Sequence, residues 1–252
     1  MKFSIVMATL NGEKTLRAAL ASIFMQTYPK WEIIVQDGGS TDGTLGILKE
    51  YEGILNWRSE PDTGVYDAWN KALARVTGDW VLFLGADDFF LHKHVFAQCK
   101  RHLVKYPKRI QFAYGAILLE QKDAQGKNIA YMRSLRNTYH QFLQDMGLTF
   151  TSTFVRASLL REHCFDTSYT ISGDFDFCAR LVTESNVGRL PVWVSYMHSG
   201  GLSSSLENIE MLIRERERVL RTRIAPRADV FVNAVAGRLR DMDIHVEDIP
   251  AD

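Results

Sequence analysis

Cysteine is scarce. The 252 residues hold three, Cys99, Cys164 and Cys178, an odd number without CxxC spacing. That excludes a disulfide framework or a cysteine-built zinc site and fits a reducing compartment. Neither sign of charge is in excess, because 30 Lys and Arg meet 30 Asp and Glu. No global field draws the chain to nucleic acid or to an anionic membrane. No uncharged apolar run approaches the ~20 residues that cross a bilayer. The apolar run after Met1-Lys2 is too short for a signal-peptide core and lacks a cleavage pattern. There is no internal repeat, no low-complexity tract and no linker rich in Pro or Ser. Also missing are GxGxxG, the GxxxxGK phosphate loop and HExxH, so dinucleotide enzymes, P-loop NTPases and zincins lose support. What is present is 46% hydrophobic and 24% charged, near globular averages, which excludes disorder, collagen and coiled coil. The expectation is a soluble, cytoplasmic globular protein.

The first hundred residues alternate in period. Residues 3–9 (FSIVMAT), 31–35, 54–57 and 79–84 (DWVLFL) are short apolar runs that predict strands. Between them Leu16, Ala19, Leu20 and Ile23 recur at helical spacing, Ser40-Thr41-Asp42 offers a cap to a helix with Leu45 and Leu48 inward, and 65–76 is helical. Apolar strands separated by helices imply parallel pairing with right-handed crossovers, a doubly wound α/β layer. Beyond Leu91 the pattern loosens. It predicts a helix over 92–106, a strand over 110–120, a polar turn over 121–128 into a strand at 129–133, and a strand over 149–155. A helix over 174–183 and a strand over 190–197 follow, and 206–224 is a charged helix with Leu206, Ile209, Ile213, Leu220 and Ile224 in a stripe.

In an open parallel sheet, ligands sit beyond the carboxyl ends of the strands. There the sequence places Thr9, Asn11 and Glu13, then Asp37-Gly38-Gly39-Ser40, then Glu60-Pro61-Asp62-Thr63-Gly64, then Gly85-Ala86-Asp87-Asp88. All suit sugars, a nucleoside and a metal. Two adjacent carboxylates after an apolar strand repel each other and lose solvation, so Asp87 and Asp88 favour a hard cation such as Mg²⁺ or Mn²⁺. The competing reading is a solvated turn in which Asp88 caps the next helix. The glycines after Asp37 let backbone approach a ligand, although a plain helix-entry loop has the same composition. Asp174 and Asp176 open a helix, where acids are favoured by the dipole. Helix capping accounts for both, and the competing reading is a general base; residues two apart do not share a face, so at most one of them would point at a substrate. His198, after the last strand, has the reach of a metal or diphosphate ligand, or is a structural histidine.

Taken together these residues resemble family 2 of the inverting nucleotide-sugar glycosyltransferases. The segment SIVMATLNGEKTLRAALASIFMQTYPKWEIIVQDGGSTDGT matches that family's opening, and EPDTGVYDAWNKALARVTGDWVLFLGADD its continuation. SGDFDFCARL and HSGGLSSS resemble later motifs of the branch that builds bacterial exopolysaccharide and lipopolysaccharide, the colanic-acid type. The resemblance implies a glycosyltransferase A-type fold, a Rossmann-like mostly parallel sheet flanked by helices with a C-terminal helical extension. It implies a catalytic unit over 1–205, with a nucleotide-sugar half (1–105) and an acceptor half (106–205), and the extension over 206–252. The donor it implies is a nucleotide diphosphate sugar, usually a UDP-sugar, the cofactor Mn²⁺ or Mg²⁺, and the acceptor a saccharide or lipid-linked saccharide. By position, Thr9, Asn11, Glu13 and Asp37 would hold base and ribose, with Asp62 as a further nucleotide contact. Asp87 would bind metal with Asp88 beside it and His198 as a further ligand, and Asp174 would be the catalytic base.

Two positions depart from the pattern. Gly85 replaces the first acid of the family's DxD motif, and Phe150-Thr151-Ser152 stands where relatives of that branch often carry His-Gln. A non-catalytic nucleotide-sugar-binding module and a sugar-nucleotide pyrophosphorylase are the alternatives. The latter needs a Gly-rich loop with Arg and Lys after the first strand, where this chain has Leu10-Asn11-Gly12-Glu13. The lipid-linked acceptor implies peripheral contact with the inner face of the cytoplasmic membrane, for which the arginines of 206–224 are placed; the alternative is that the stripe packs on the domain and the arginines, partly neutralised by Glu210, Glu215 and Glu217, are a solvated face.

Overall fold

The computed structural model describes residues 1–122, 128–133, 149–183, 185–198, 201 and 208–224. The polar turn expected around 121–128, most of the HSGGLSSS run, Leu206 and everything after Ile224 fall largely or wholly outside these residues.

Strands β1 (Phe3–Thr9), β2 (Trp31–Asp37), β3 (Asn56–Ser59) and β4 (Trp80–Phe83) pair in parallel in the order β3-β2-β1-β4. Their side chains alternate between two buried layers, which is why the runs read as uniformly apolar. Ile5, Met7, Ile33, Val35 and Leu82 enter one core, while Val6, Ile34, Val81 and Phe83 enter the other. The first core is covered by α1 (Leu16–Phe24), α2 (Thr44–Glu50) and α4 (Val95–Leu103). Leu16, Leu20 and Ile23 of α1 are wholly buried, each contributing about 1.5–3 kcal/mol of transfer free energy. The second core takes Tyr66 and Ala72 of α3 (Val65–Leu73).

The sheet then continues with mixed polarity. The 3₁₀ turn Phe150–Ser152 leads into β8 (Thr153–Arg156), antiparallel to β4 and to β6 (Phe112–Lys122). β9 (Val187–Met197) runs parallel to β6, and the two-residue β5 (Phe89–Phe90) pairs with its far side. β7 (Asn128–Arg133) forms the expected hairpin partner of β6. Helices α5 (Ala157–Glu162), α6 (Gly173–Leu181) and α7 (Ile209–Val219) complete the described residues, with a π-helical turn at Leu220–Ile224.

Two expectations are corrected. Half of the strand expected over 149–155 is the 3₁₀ turn. There Phe150 is buried in an aromatic cluster with Trp69, Phe83 and Phe165, so packing decides the backbone. The stripe expected on the last helix is displaced as well. Leu212, Val219 and Ile224 are buried, whereas Ile209 and Ile213 are about half exposed, at 48% and 52%. Of the expected stripe, Leu220 packs against the core and Ile224 is buried, while the first turn of the helix turns Leu212 inward in place of Ile209 and Ile213.

Candidate active site

Three groups of polar residues stand at strand ends and at one helix start. At the ends of β1 and β2 the two loops are knitted together. Asn11 adopts the left-handed conformation (φ 54°) that asparagine tolerates. Its N–H donates to Ser40 Oγ at 2.7 Å, and its Oδ1 accepts from the Thr41 N–H at 2.9 Å. Glu13 accepts from the Gly43 N–H at 3.0 Å, at the start of α2. Asn11 and Glu13 stay exposed on this rim, while Thr9 Oγ1 is buried beneath it without a hydrogen-bond partner. Asp37 is wholly buried and serves the loop itself. It accepts from the N–H groups of Gly39 and Ser40, both at 3.0 Å, from Ser59 Oγ at 2.6 Å and from Ser40 Oγ. Asp62 reaches the same rim from β3. Its Oδ2 fills the space that a side chain at Gly38 would take, 2.6 Å from where a Cβ would lie.

The second group follows β4. A Cβ at Gly85 would lie 2.7 Å from Asp87 Oδ1 and 2.8 Å from Asp88 Oδ2, so both carboxylates converge on the place the missing acid would occupy. Burial, reinforced by the charge of Asp87, pushes the Asp88 carboxyl up to about 7. Such a pair is relieved by a divalent cation. His198 joins it because β9 lies between β5 and β6. Its N–H donates to Asp88 Oδ1 at 3.1 Å, and its ring Nδ1 lies 2.8 Å from Glu120 Oε2. A carboxylate on one imidazole nitrogen fixes the ring and leaves the other nitrogen for a ligand. The two carboxylates are hard oxygen donors of the kind that suit Mn²⁺ or Mg²⁺. Among the described residues no group of three or more His, Cys, Asp or Glu stands close enough together to hold a metal ion, so the convergent pair is Asp87 and Asp88 alone.

The third group opens α6, where Asp174 and Asp176 separate completely. Asp176 is wholly buried and bonds Arg180 and Arg223, each at 2.8 Å. Asp174 faces the other way, accepting from the Phe175 N–H at 2.8 Å and lying 3.3 Å from the Tyr66 hydroxyl. Burial of its carboxyl group raises it to about 6, against the pull of the Phe175 N–H. A carboxyl poised there is suited to accept a proton near neutral pH. Gly173 is required beside it, since a Cβ would lie 2.7 Å from the Tyr66 ring.

Sequence reasoning missed Glu120 and Tyr66. Glu120 is legible as an acid near the end of β6. Tyr66 carries no signal beyond its place in the helical run after Gly64.

Residues 4–163 match the family model described as glycosyl transferase family 2. The chain belongs to that family. It is a glycosyltransferase, and its sheet order and flanking helices are the glycosyltransferase A-type fold. This family 2 glycosyltransferase is 30% identical over 223 residues to a PGL/p-HBAD biosynthesis glycosyltransferase of Mycobacterium bovis (strain BCG / Pasteur 1173P2), covering 84% of this chain and 83% of that one. It is 26% identical over 190 residues to the Escherichia coli UDP-Glc:alpha-D-GlcNAc-diphosphoundecaprenol beta-1,3-glucosyltransferase WfgD, covering 74% and 72%. Among solved structures it superposes on the mannosyltransferase PcManGT of Pyrobaculum calidifontis in complex with GDP-Man and Mn²⁺. There the TM-score is 0.67 and the identity 18%, covering 93% of this chain and 69% of that one. The family match takes in the first two groups except His198, and ends before Asp174. No helix among the described residues is long and apolar enough to cross a membrane.

Proposed function

We propose that this glycosyltransferase moves a sugar from a UDP-sugar to a saccharide or lipid-linked saccharide, with inversion and with Mn²⁺ or Mg²⁺ as cofactor. Residues 1–205 form the catalytic unit and 206–252 its extension. The observation that carries the reading is the convergence of the Asp87 and Asp88 carboxylates over Gly85. Asp87, Asp88 and His198 would hold the cation, which supplies positive charge against a departing diphosphate. Glu120 orients the His198 ring. The rim of exposed Asn11 and Glu13 and half-buried Asp62 is placed for base and ribose, and Asp37 holds the loop that presents them. Asp174 takes the proton of the acceptor hydroxyl as its oxygen attacks the anomeric carbon. One displacement inverts that carbon. The E. coli relative, which makes a β-linkage from UDP-Glc, supports both the donor and the inversion.

That relative's diphosphoundecaprenol acceptor also supports a lipid-linked substrate. The finer assignment, to exopolysaccharide or lipopolysaccharide synthesis of the colanic-acid type, rests on SGDFDFCARL and HSGGLSSS. Exposed Ile209 and Ile213, one turn apart on α7, form an apolar edge suited to peripheral contact with the cytoplasmic face of a membrane.

The test is UDP release from UDP-glucose and UDP-GlcNAc. Release should require Mn²⁺ or Mg²⁺, stop with EDTA, and fall sharply in Asp87→Asn. Equal release with and without EDTA would remove the metal from the account.

A further inference from the structure

The helix that follows the base-bearing segment reaches back into it. Glu215 lies on the inward side of α7, between buried Leu212 and Val219. Its carboxylate accepts from three consecutive backbone N–H groups, Thr170 at 2.6 Å, Ile171 at 2.9 Å and Ser172 at 2.7 Å. Successive amides aimed at one point form an anion-binding concavity, and here its occupant is a side chain of the same protein. Bonds to an ionised acceptor are roughly twice as strong as neutral ones, so the carboxylate is a firm anchor.

The same segment is held from its other side. Tyr66 donates its hydroxyl to the Ile171 carbonyl at 2.5 Å. Two arginines from α7 and the π turn extend the brace. Arg218 lies 4.3 Å over the Tyr169 ring and bonds Ser168 Oγ at 3.0 Å, and Arg223 binds Asp176. Residues 170–172 lead straight into Gly173 and Asp174. Gly173 has no side chain to anchor the turn, and the Ser172 hydroxyl makes no capping bond. The entry of the backbone into α6 is therefore set by what grips residues 170–172.

We propose that Glu215 is a positioning residue for sugar transfer: by gathering the amides of Thr170, Ile171 and Ser172 it sets where the Asp174 carboxylate stands against the attacking hydroxyl. This rests on the reading of Asp174 as the general base. A misplacement of about 1 Å can cost ~10²-fold in rate, so a brace outside the site carries catalytic weight.

The experiment compares Glu215→Gln, Asp174→Asn and the double variant, following UDP release from UDP-glucose and UDP-GlcNAc with Mn²⁺. Glu217→Gln, on the exposed side of the same helix, is the control. Glu215→Gln should lower kcat about tenfold or more at a temperature where circular dichroism shows it folded, with donor KM within about twofold. In the Asp174→Asn background it should lower kcat no further, because the group it positions is gone. Glu217→Gln should turn over as wild type. The same loss in both backgrounds, or a lower thermal midpoint with kcat unchanged, would overturn the proposal and leave the base reading standing. Wild-type turnover in Asp174→Asn would overturn both. Should Glu215→Gln not fold, Glu215→Asp keeps the charge, shortens the reach by one methylene and carries the same comparison.

Discussion

One phenol links the base candidate to the segment that leads into it: the Tyr66 hydroxyl lies 3.3 Å from Asp174 Oδ1 and 2.5 Å from the Ile171 carbonyl. Its bond to Asp174 and that of the Phe175 N–H favour the ionised carboxylate, and burial outweighs them.

That relationship has a pH signature. The Asp174 carboxyl is raised to about 6 by burial, and it works as a base only when ionised. Turnover should rise with pH through about 6 and fall about tenfold per unit below it. Asp174→Asn should reduce kcat by ~10²–10⁴ while UDP affinity by calorimetry stays near wild type. An acid limb near the ordinary carboxylate value, or one that persists in Asp174→Asn, would assign the proton to another group.

Asp176 should behave as a structural acid. It is fully enclosed between Arg180 and Arg223, which themselves reach solvent. Asp176→Asn is expected to cost about 2–3 kcal/mol in urea unfolding, below the ~3–5 kcal/mol for breaking a fully buried pair. The folded fraction should keep kcat within about threefold. Unchanged stability with a large fall in kcat would move the chemistry from Asp174 to Asp176.

The apolar residues left outward on α7 make a membrane prediction. Ile209 and Ile213, one turn apart on the same face, are 48% and 52% exposed. The protein should sediment with anionic liposomes at low salt and be released near ~0.5 M salt, where screening is strong. Equal recovery in the supernatant with anionic and neutral liposomes would show that this face makes no such contact.

The first hundred residues were largely legible in the sequence because each element there has one dominant cause. Residues 3–9 and 31–35 must be strands, since both faces are buried, and Leu16 to Ile23 must be helical, since only one face is. The acids after β4 were legible for the same reason, standing where an apolar strand ends. The other half was read less well because long-range contacts decide it. Phe150 turns the backbone by joining an aromatic cluster, and β5 exists only through pairing with β9. Leu212 is buried in place of Ile213 because of how α7 lies on α6. Glu120 meets His198, and Tyr66 meets Asp174, across 78 and 108 residues of chain, distances over which local pattern carries no signal.

The most direct test is the anomeric form of the sugar that first leaves the enzyme. With Asp174 acting as base in one displacement, hydrolysis of α-linked UDP-glucose or UDP-GlcNAc must release the β-sugar. Proton NMR recorded before mutarotation distinguishes the anomers by their anomeric coupling. A β-signal that appears first, and disappears with Asp174→Asn, is the predicted result. An α-signal appearing first would contradict the single displacement and the role of Asp174 with it.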